Sequence, residues 1–230
     1  MLKELVRNRV YYKIFEKIYP EQIKKDAGII LKNFDASNIL LLNQVHGNSV
    51  ICPDDEANYD FAIQRDADAL VTAKQNIILG IMTADCVPLL LASENGDVIG
   101  AAHCGWRGSK LNIIDNVVAK MKNLGAANIV AVIGPSIAQS SYEVSSDYYD
   151  DFIAESSSYQ RFFTQSPKND HYMFDLPAFV KQKLQDAKVK LVIHINEDTY
   201  SMADKYPSYR RHIHTKEAYE QKILSAIMIR

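Results

Sequence analysis

Residues 87–92 and 98–103 are short apolar runs rich in branched side chains, and they flank Ser93-Glu-Asn-Gly-Asp97. No other stretch constrains the fold of this chain as tightly. Asn-Gly supplies the positive φ that a tight hairpin turn requires, so the two runs are predicted to pair as antiparallel strands through Asn95-Gly96. The pairing has a chemical consequence. Cys86 immediately precedes the first run and His103 ends the second, so both are carried to one edge of the sheet.

Other runs read in the same way. Residues 39–45 end at His46-Gly47-Asn48, and residues 49–52 are expected to pair back across that turn. Residues 129–133 stop at Gly134-Pro135, and residues 189–195 read as a further buried strand. The spacing predicts a helix over 110–124, with Leu111, Ile114, Val118 and Met121 on one face, Ser109 as N-cap and Gly125 as its stop. Asp175 and Pro177 open a second helix running to about Ala187. Residues 155–171, rich in polar side chains, read as a surface loop. Hairpins mixed with helices give an α+β fold with mixed sheets rather than regular βαβ alternation. The 230 residues fit one domain, 1–230.

Charge narrows the function classes. Lys+Arg total 26 against Asp+Glu 28, a net charge of −2, which argues against a nucleic-acid partner. The one dense basic spot, Arg210, Arg211, His212 and His214, reads as a solvated edge. The strongest apolar runs, residues 77–82 and 87–92, fall far short of the ~20 residues needed to span a bilayer. Charges among the first nine residues argue against a secretory signal, so a cytoplasmic location is expected. Three cysteines give no disulfide framework.

Three segments carry chemistry: Asn43-Gln-Val-His-Gly47, Thr83-Ala-Asp-Cys-Val-Pro88 and Ala101-Ala-His-Cys-Gly-Trp-Arg-Gly108. His46, Cys86 and His103 together make a two-imidazole, one-thiolate donor set. That set suits Zn²⁺ and leaves a fourth position open for water. Side chains alternate along a strand, so Cys104 is expected to point away from His103 into the core, and Cys52 is assigned to the core as well. Gly105-Trp-Arg-Gly108 leads into a helix start, where free N–H groups and the Arg107 fork would suit phosphate. The alternative has Trp106 packing and Arg107 pairing with a carboxylate such as Asp85. Asp85 is also placed to orient a ligand histidine, and Asp68 either serves as an acid or caps a turn. A metal-free reading stays open, with Cys86 as nucleophile and His103 or His46 as base.

The segments NQVHG, DALVT, TADCVPLLL, AAHCGWRG, IGPSI, YEV and SYRR, in that order, resemble the YfiH/PgeF family of laccase-domain or polyphenol-oxidase proteins. The resemblance implies a layered α+β domain, distantly similar to a toxin deamidase that uses a Cys-His pair. It implies that His46, Cys86 and His103 are zinc-binding catalytic residues, with copper the less favoured metal. It further implies phosphorolysis of adenosine, inosine, guanosine and methylthioadenosine, hydrolytic deamination of adenosine, and for bacterial members a link to peptidoglycan editing. The expected partners are purine nucleosides and phosphate, the latter near Arg107. Asn43, Arg65 and Tyr142 are expected to grip purine and ribose through their closeness to matched motifs, in a monomer or weak homo-oligomer. The chain departs from the family pattern at Ser136 (usually Cys), Cys104 (usually a small residue), Asp198-Thr199 (usually Cys-Thr) and after SYRR, where His212-Ile-His214-Thr-Lys-Glu replaces a Gly-rich turn. The older family name suggests a multicopper oxidase. A blue-copper centre plus a trinuclear cluster would require about eight histidines beyond the first two, and the chain has six in all.

Overall fold

The computed structural model describes residues 1–55 and 65–230. Among the described residues the strands form three sheets. The first runs in the order β1 (Lys3–Val6), β2 (Val10–Ile18), β14 (Lys222–Ile229), β6 (Ile77–Thr83) and β3 (Asn38–Leu40). The second runs β13 (Lys190–His194), β9 (Ile129–Ile133), β7 (Val87–Ser93), β8 (Ile99–Cys104), β5 (Ala69–Thr72) and β4 (Val50–Ile51). A small third sheet holds β10 (Glu143–Ser145), β12 (His171–Phe174) and β11 (Phe163–Gln165). Both large sheets contain parallel and antiparallel pairs and are mixed, the small one is antiparallel, and the fold is α+β as read from the sequence.

The two large sheets stack face to face. Leu70, Leu90, Ala101 and Val132 of the second pack against Leu79, Ile81, Ile227 and Ile229 of the first. Alternation sends Leu89, Leu91 and Val71 to the opposite face, which is covered by α4 (Ile113–Asn123) and α6 (Leu176–Asp186). On the outer face of the first sheet, Ile78, Leu224, Ala226 and Met228 meet Ile30 and Phe34 of α2 (Gly28–Phe34), which follows the short α1 (Pro20–Lys25). Strands buried on both faces must be apolar throughout, which is why residues 87–92 and 77–82 read as unbroken runs. Each fully buried Leu or Ile contributes roughly 1.5–3 kcal/mol relative to exposure.

The hairpin through Asn95-Gly96 forms as expected: β7 and β8 are antiparallel, with Val87 opposite Cys104 and Pro88 opposite His103, and Gly96 has φ +75. The helix from Asp175 also stands, with the Asp175 carboxylate accepting from the Ala178 N–H at 2.9 Å.

Three local expectations are corrected. The helix expected over 110–124 is two helices, α3 (Trp106–Lys110) and α4, broken at Asn112, whose φ is +64. Ser109 therefore lies inside α3 instead of capping a helix, and Leu111, at the break, is 45% exposed. Gly125 does end α4, at φ +95. The hairpin expected across His46-Gly47 does not form, because β3 pairs with β6 and β4 with β5 in different sheets. The N–H groups of Val45, His46 and Gly47 go to the Asp68 carboxylate and are unavailable for a strand ladder. Residues 155–171 are not an open loop. Phe162 and Phe163 are buried in an aromatic cluster with Phe152, Phe174 and Phe179, contributed partly by α5 (Ser146–Glu155).

Candidate active site

The three metal-type side chains reach one point from three different connections. Cys86 lies in the link between β6 and β7, where the chain steps from the first large sheet to the second. His103 comes from β8, across the hairpin from Pro88. His46 comes from a turn held in the left-handed region at φ +58. The donor atoms of His46, Cys86 and His103 all lie within 4.8 Å of one another, and the two imidazole rings meet edge to face at 4.7 Å. Cys104 is fully buried on the far side of its strand, and Cys52 is buried as well, both as alternation and apolar context suggested.

Asp68 organises this cluster. It is fully buried just before β5, and its carboxylate accepts from the backbone N–H of Val45 (3.2 Å), His46 (2.9 Å) and Gly47 (2.7 Å). The same carboxylate lies 2.8 Å from His103 Nδ1. One side chain thus fixes the backbone that presents His46 and the ring orientation that presents His103, leaving His103 Nε2 for a ligand. The orienting role expected for Asp85 belongs to Asp68, and Asp68 caps the turn as well.

Asp85 does something else. Its carboxylate accepts from the Thr199 hydroxyl at 2.7 Å and from the Arg210 backbone N–H at 2.6 Å. It therefore ties the Cys86 link, at a backbone φ of +91, to the start of α7 (Tyr209–Thr215). Both oxygens are occupied away from the imidazoles, which is why Asp85 is not the histidine's partner.

The charges in the cluster reinforce one another. Burial alone would raise the Cys86 thiol, but the charge of His103 and hydrogen bonds from His103 and His46 outweigh it and hold the pKa at about 6. Burial alone would lower His103, yet the Cys86 thiolate and the Asp68 carboxylate raise it to about 9. Asp68 is held below the usual carboxylate range: burial opposes this, and the bonds from His103, Gly47 and His46 prevail. Burial pushes the Cys52 and Cys104 thiols up. In metal-stripped protein, iodoacetamide is therefore expected to alkylate Cys86 selectively. The rate should rise with pH through about 6 and level off by pH 8, whereas an ordinary thiol near 8.5 would still be climbing. A profile still rising at pH 8, or equal labelling of Cys52, would contradict the ion-paired thiolate. Peptide mapping after labelling reads both.

A cavity of about 650 Å³ opens over the cluster, within the range of small-molecule sites. Asn43, Gln44, Met82, Asp85, Trp106, Tyr142, Tyr209, Arg210, Tyr219 and Lys222 are among its lining residues, together with His46, Cys86 and His103. Of the residues expected to bind substrate, Asn43 and Tyr142 line it. The Asn43 amide donates to Asp66 at 2.6 Å. Arg65 is partly buried nearby, bonded to Asn43 through its backbone carbonyl (3.0 Å), and is outside the lining. Arg107 is corrected: it is exposed and outside the lining. Helix α3 already starts at Trp106, whose indole faces the cavity and packs against Tyr148 at 5.0 Å, and the next helical position turns by about 100° toward solvent.

Arg210, Tyr209, Tyr219 and Lys222 were missed. Arg210 lay in the basic spot read as a solvated edge, and its position in SYRR was the available signal. Lys222 and Tyr219 carried none, because their place follows from β14 being central in the first sheet.

Gly108 presses α3 onto the His46 turn: a Cβ there would stand 2.5 Å from the Gly47 carbonyl oxygen. Gly108→Ala is expected to cost about 1–3 kcal/mol by overpacking, and to weaken metal binding by displacing His46. Thermal melting and chelator competition measure the two effects, and wild-type values in both would contradict the contact.

Residues 19–229 match the family described as multi-copper polyphenol oxidoreductase laccase. The chain is 48% identical over its full length to a purine nucleoside phosphorylase of Rickettsia conorii, which it covers completely. It is 31% identical to purine nucleoside phosphorylase YfiH of Escherichia coli, over 74% of this chain and 67% of that one. The crystal structure of a Neisseria meningitidis protein superposes with a TM-score of 0.83 at 23% identity, covering 100% of this chain and 98% of that chain.

Proposed function

The chain belongs to the multi-copper polyphenol oxidoreductase laccase family, and from that membership and its site we propose that it is a zinc-dependent purine nucleoside enzyme. It would cleave adenosine, inosine, guanosine and methylthioadenosine by phosphorolysis and deaminate adenosine by hydrolysis. The observation that carries this reading is the His46–Cys86–His103 donor cluster lining a nucleoside-sized cavity. The names of the Rickettsia conorii and Escherichia coli relatives supply the substrate class. A multicopper centre does not fit. All six histidines lie among the described residues, and there His46, Cys86 and His103 form the single group of three or more potential ligands.

The donor set suits zinc: a thiolate already held deprotonated near neutral pH and two imidazoles, of which His103 would release its proton as the metal binds. When bound, zinc would supply Lewis acidity that activates water near neutral pH. The protein does the rest. Asp68 holds His46 and His103 in place, and Trp106, Tyr142, Tyr209 and Tyr219 offer aromatic faces to a purine. In phosphorolysis a hydrogen phosphate oxygen bonds to ribose C1′ as the C1′–N9 bond breaks. The electron pair leaves with the purine, which ends with the phosphate's proton, so the step balances without a further reactant.

The thiolate–imidazolium pair also supports a second reading, a metal-free hydrolase with Cys86 as nucleophile. Incubating metal-quantified protein with adenosine, with and without phosphate, tests the main proposal. Inosine without phosphate and adenine with ribose 1-phosphate are the expected products. Neither product from wild type would overturn the proposal.

A further inference from the structure

The cavity that holds the cluster also carries positive charge. Arg210, on the first turn of α7, and Lys222, at the start of β14, both line it and are both partly buried. The Arg210 guanidinium lies 5.0 Å over the Tyr142 ring and donates through Nη1 to the Glu143 carbonyl at 2.5 Å. The Lys222 ammonium lies 3.8 Å over the Tyr219 ring and donates to the Tyr219 hydroxyl.

Neither cation is in an ion pair among the described residues. The carboxylate that lines the same cavity, Asp85, is already bonded to Thr199 and to the backbone N–H of Arg210. Tyrosine rings and hydroxyls orient the two side chains without neutralising them. Partly desolvated charges without an ion-pair partner are costly to hold, and a cavity that keeps two of them is shaped for an anion. Arg210 keeps further N–H donors in a planar fork, and Lys222 keeps further ammonium protons. Together they offer the charge and the spare donors that a tetrahedral oxyanion takes.

We infer that Arg210 and Lys222 form a binding site for inorganic phosphate, held in the cavity beside the nucleoside and facing the metal cluster. The inference rests on the phosphorolysis reading above, and it moves phosphate from Arg107, which faces solvent. Tyr142 and Tyr219 are then positioning residues that aim the two cations.

The test is calorimetric titration of inorganic phosphate into zinc-loaded wild type, Lys222→Gln, Arg210→Gln and Arg107→Gln, with melting curves to confirm folding. Saturable binding by wild type is expected, weakened at least tenfold in Lys222→Gln and in Arg210→Gln and changed less than twofold in Arg107→Gln. The inference is overturned if wild type binds no phosphate, if both cavity variants bind as wild type, or if Arg107→Gln alone loses binding. Should Arg210→Gln fail to fold, Lys222→Gln decides, since it leaves the Asp85 and Glu143 bonds intact. Phosphate binding lost in Lys222→Gln, in a protein that releases no purine base, would keep this site and reject phosphorolysis. Ribose 1-phosphate formation with an unchanged phosphate KM in Lys222→Gln would keep phosphorolysis and reject this site.

Discussion

Replacing Asp68 by Asn is expected to strip the site of metal and to lower the stability of the whole fold. The carboxylate satisfies three backbone N–H groups of the His46 turn and the Nδ1 position of His103 from a fully buried location. An amide offers one acceptor oxygen and turns its NH₂ against donors that need an acceptor. It also removes the negative charge beside an imidazole whose pKa is raised to about 9. Breaking a buried charged network in this way costs about 3–5 kcal/mol, and for a chain of this size that lowers the melting temperature by roughly 10 °C. Loss of ligand orientation alone weakens metal binding roughly 10–100-fold. Chelator competition separates the two consequences, because a purely structural role would leave metal affinity unchanged in the fraction that remains folded. A variant with wild-type metal affinity and turnover would contradict the place given to Asp68.

Cys86→Ala is the sharper functional lesion. The thiolate is the one anionic member of the donor set, and without it two imidazoles remain. Stoichiometric metal is expected to be lost and nucleoside turnover to fall at least ~1,000-fold, equivalent to about 4 kcal/mol of transition-state stabilisation. The fold should survive, because Cys86 sits in a link between strands at the cavity surface, outside the apolar clusters that join the layers. The expected signature is a near-native melting curve with an inactive, metal-free protein. An active Cys86→Ala protein would remove the cysteine from the chemistry under the zinc reading and the metal-free reading alike.

How much of this the sequence contains depends on whether the information is local. The β7–β8 hairpin was legible because Asn95-Gly96 sets both turn and register, and register is what brings Cys86 and His103 to one edge. The burial of Cys104 followed from the same alternation. The turn at His46 was not legible, because its N–H groups are satisfied by a carboxylate 22 residues away in sequence (His46 to Asp68), and no periodicity encodes that. The helix break at Asn112 escaped because the apolar spacing of Ile114, Val118 and Met121 continues as though the helix began earlier, while the backbone uses a left-handed residue to re-aim it. Arg107 was misplaced for a related reason. The Gly-bounded turn was read as the helix start, whereas α3 begins at Trp106 and commits the indole, not the guanidinium, to the cavity. The part of the cavity lining that holds Tyr219 and Lys222 depends on β14 lying between β2 and β6, a long-range pairing that residue spacing does not reveal.

The most direct measurement is a zinc reconstitution of chelator-stripped wild type, following nucleoside turnover against metal added. Turnover should start near zero and rise linearly. It should reach its plateau at one zinc per chain, with no such rise in Cys86→Ala. Full turnover by stripped protein before any zinc is added would contradict a metal centre at His46, Cys86 and His103.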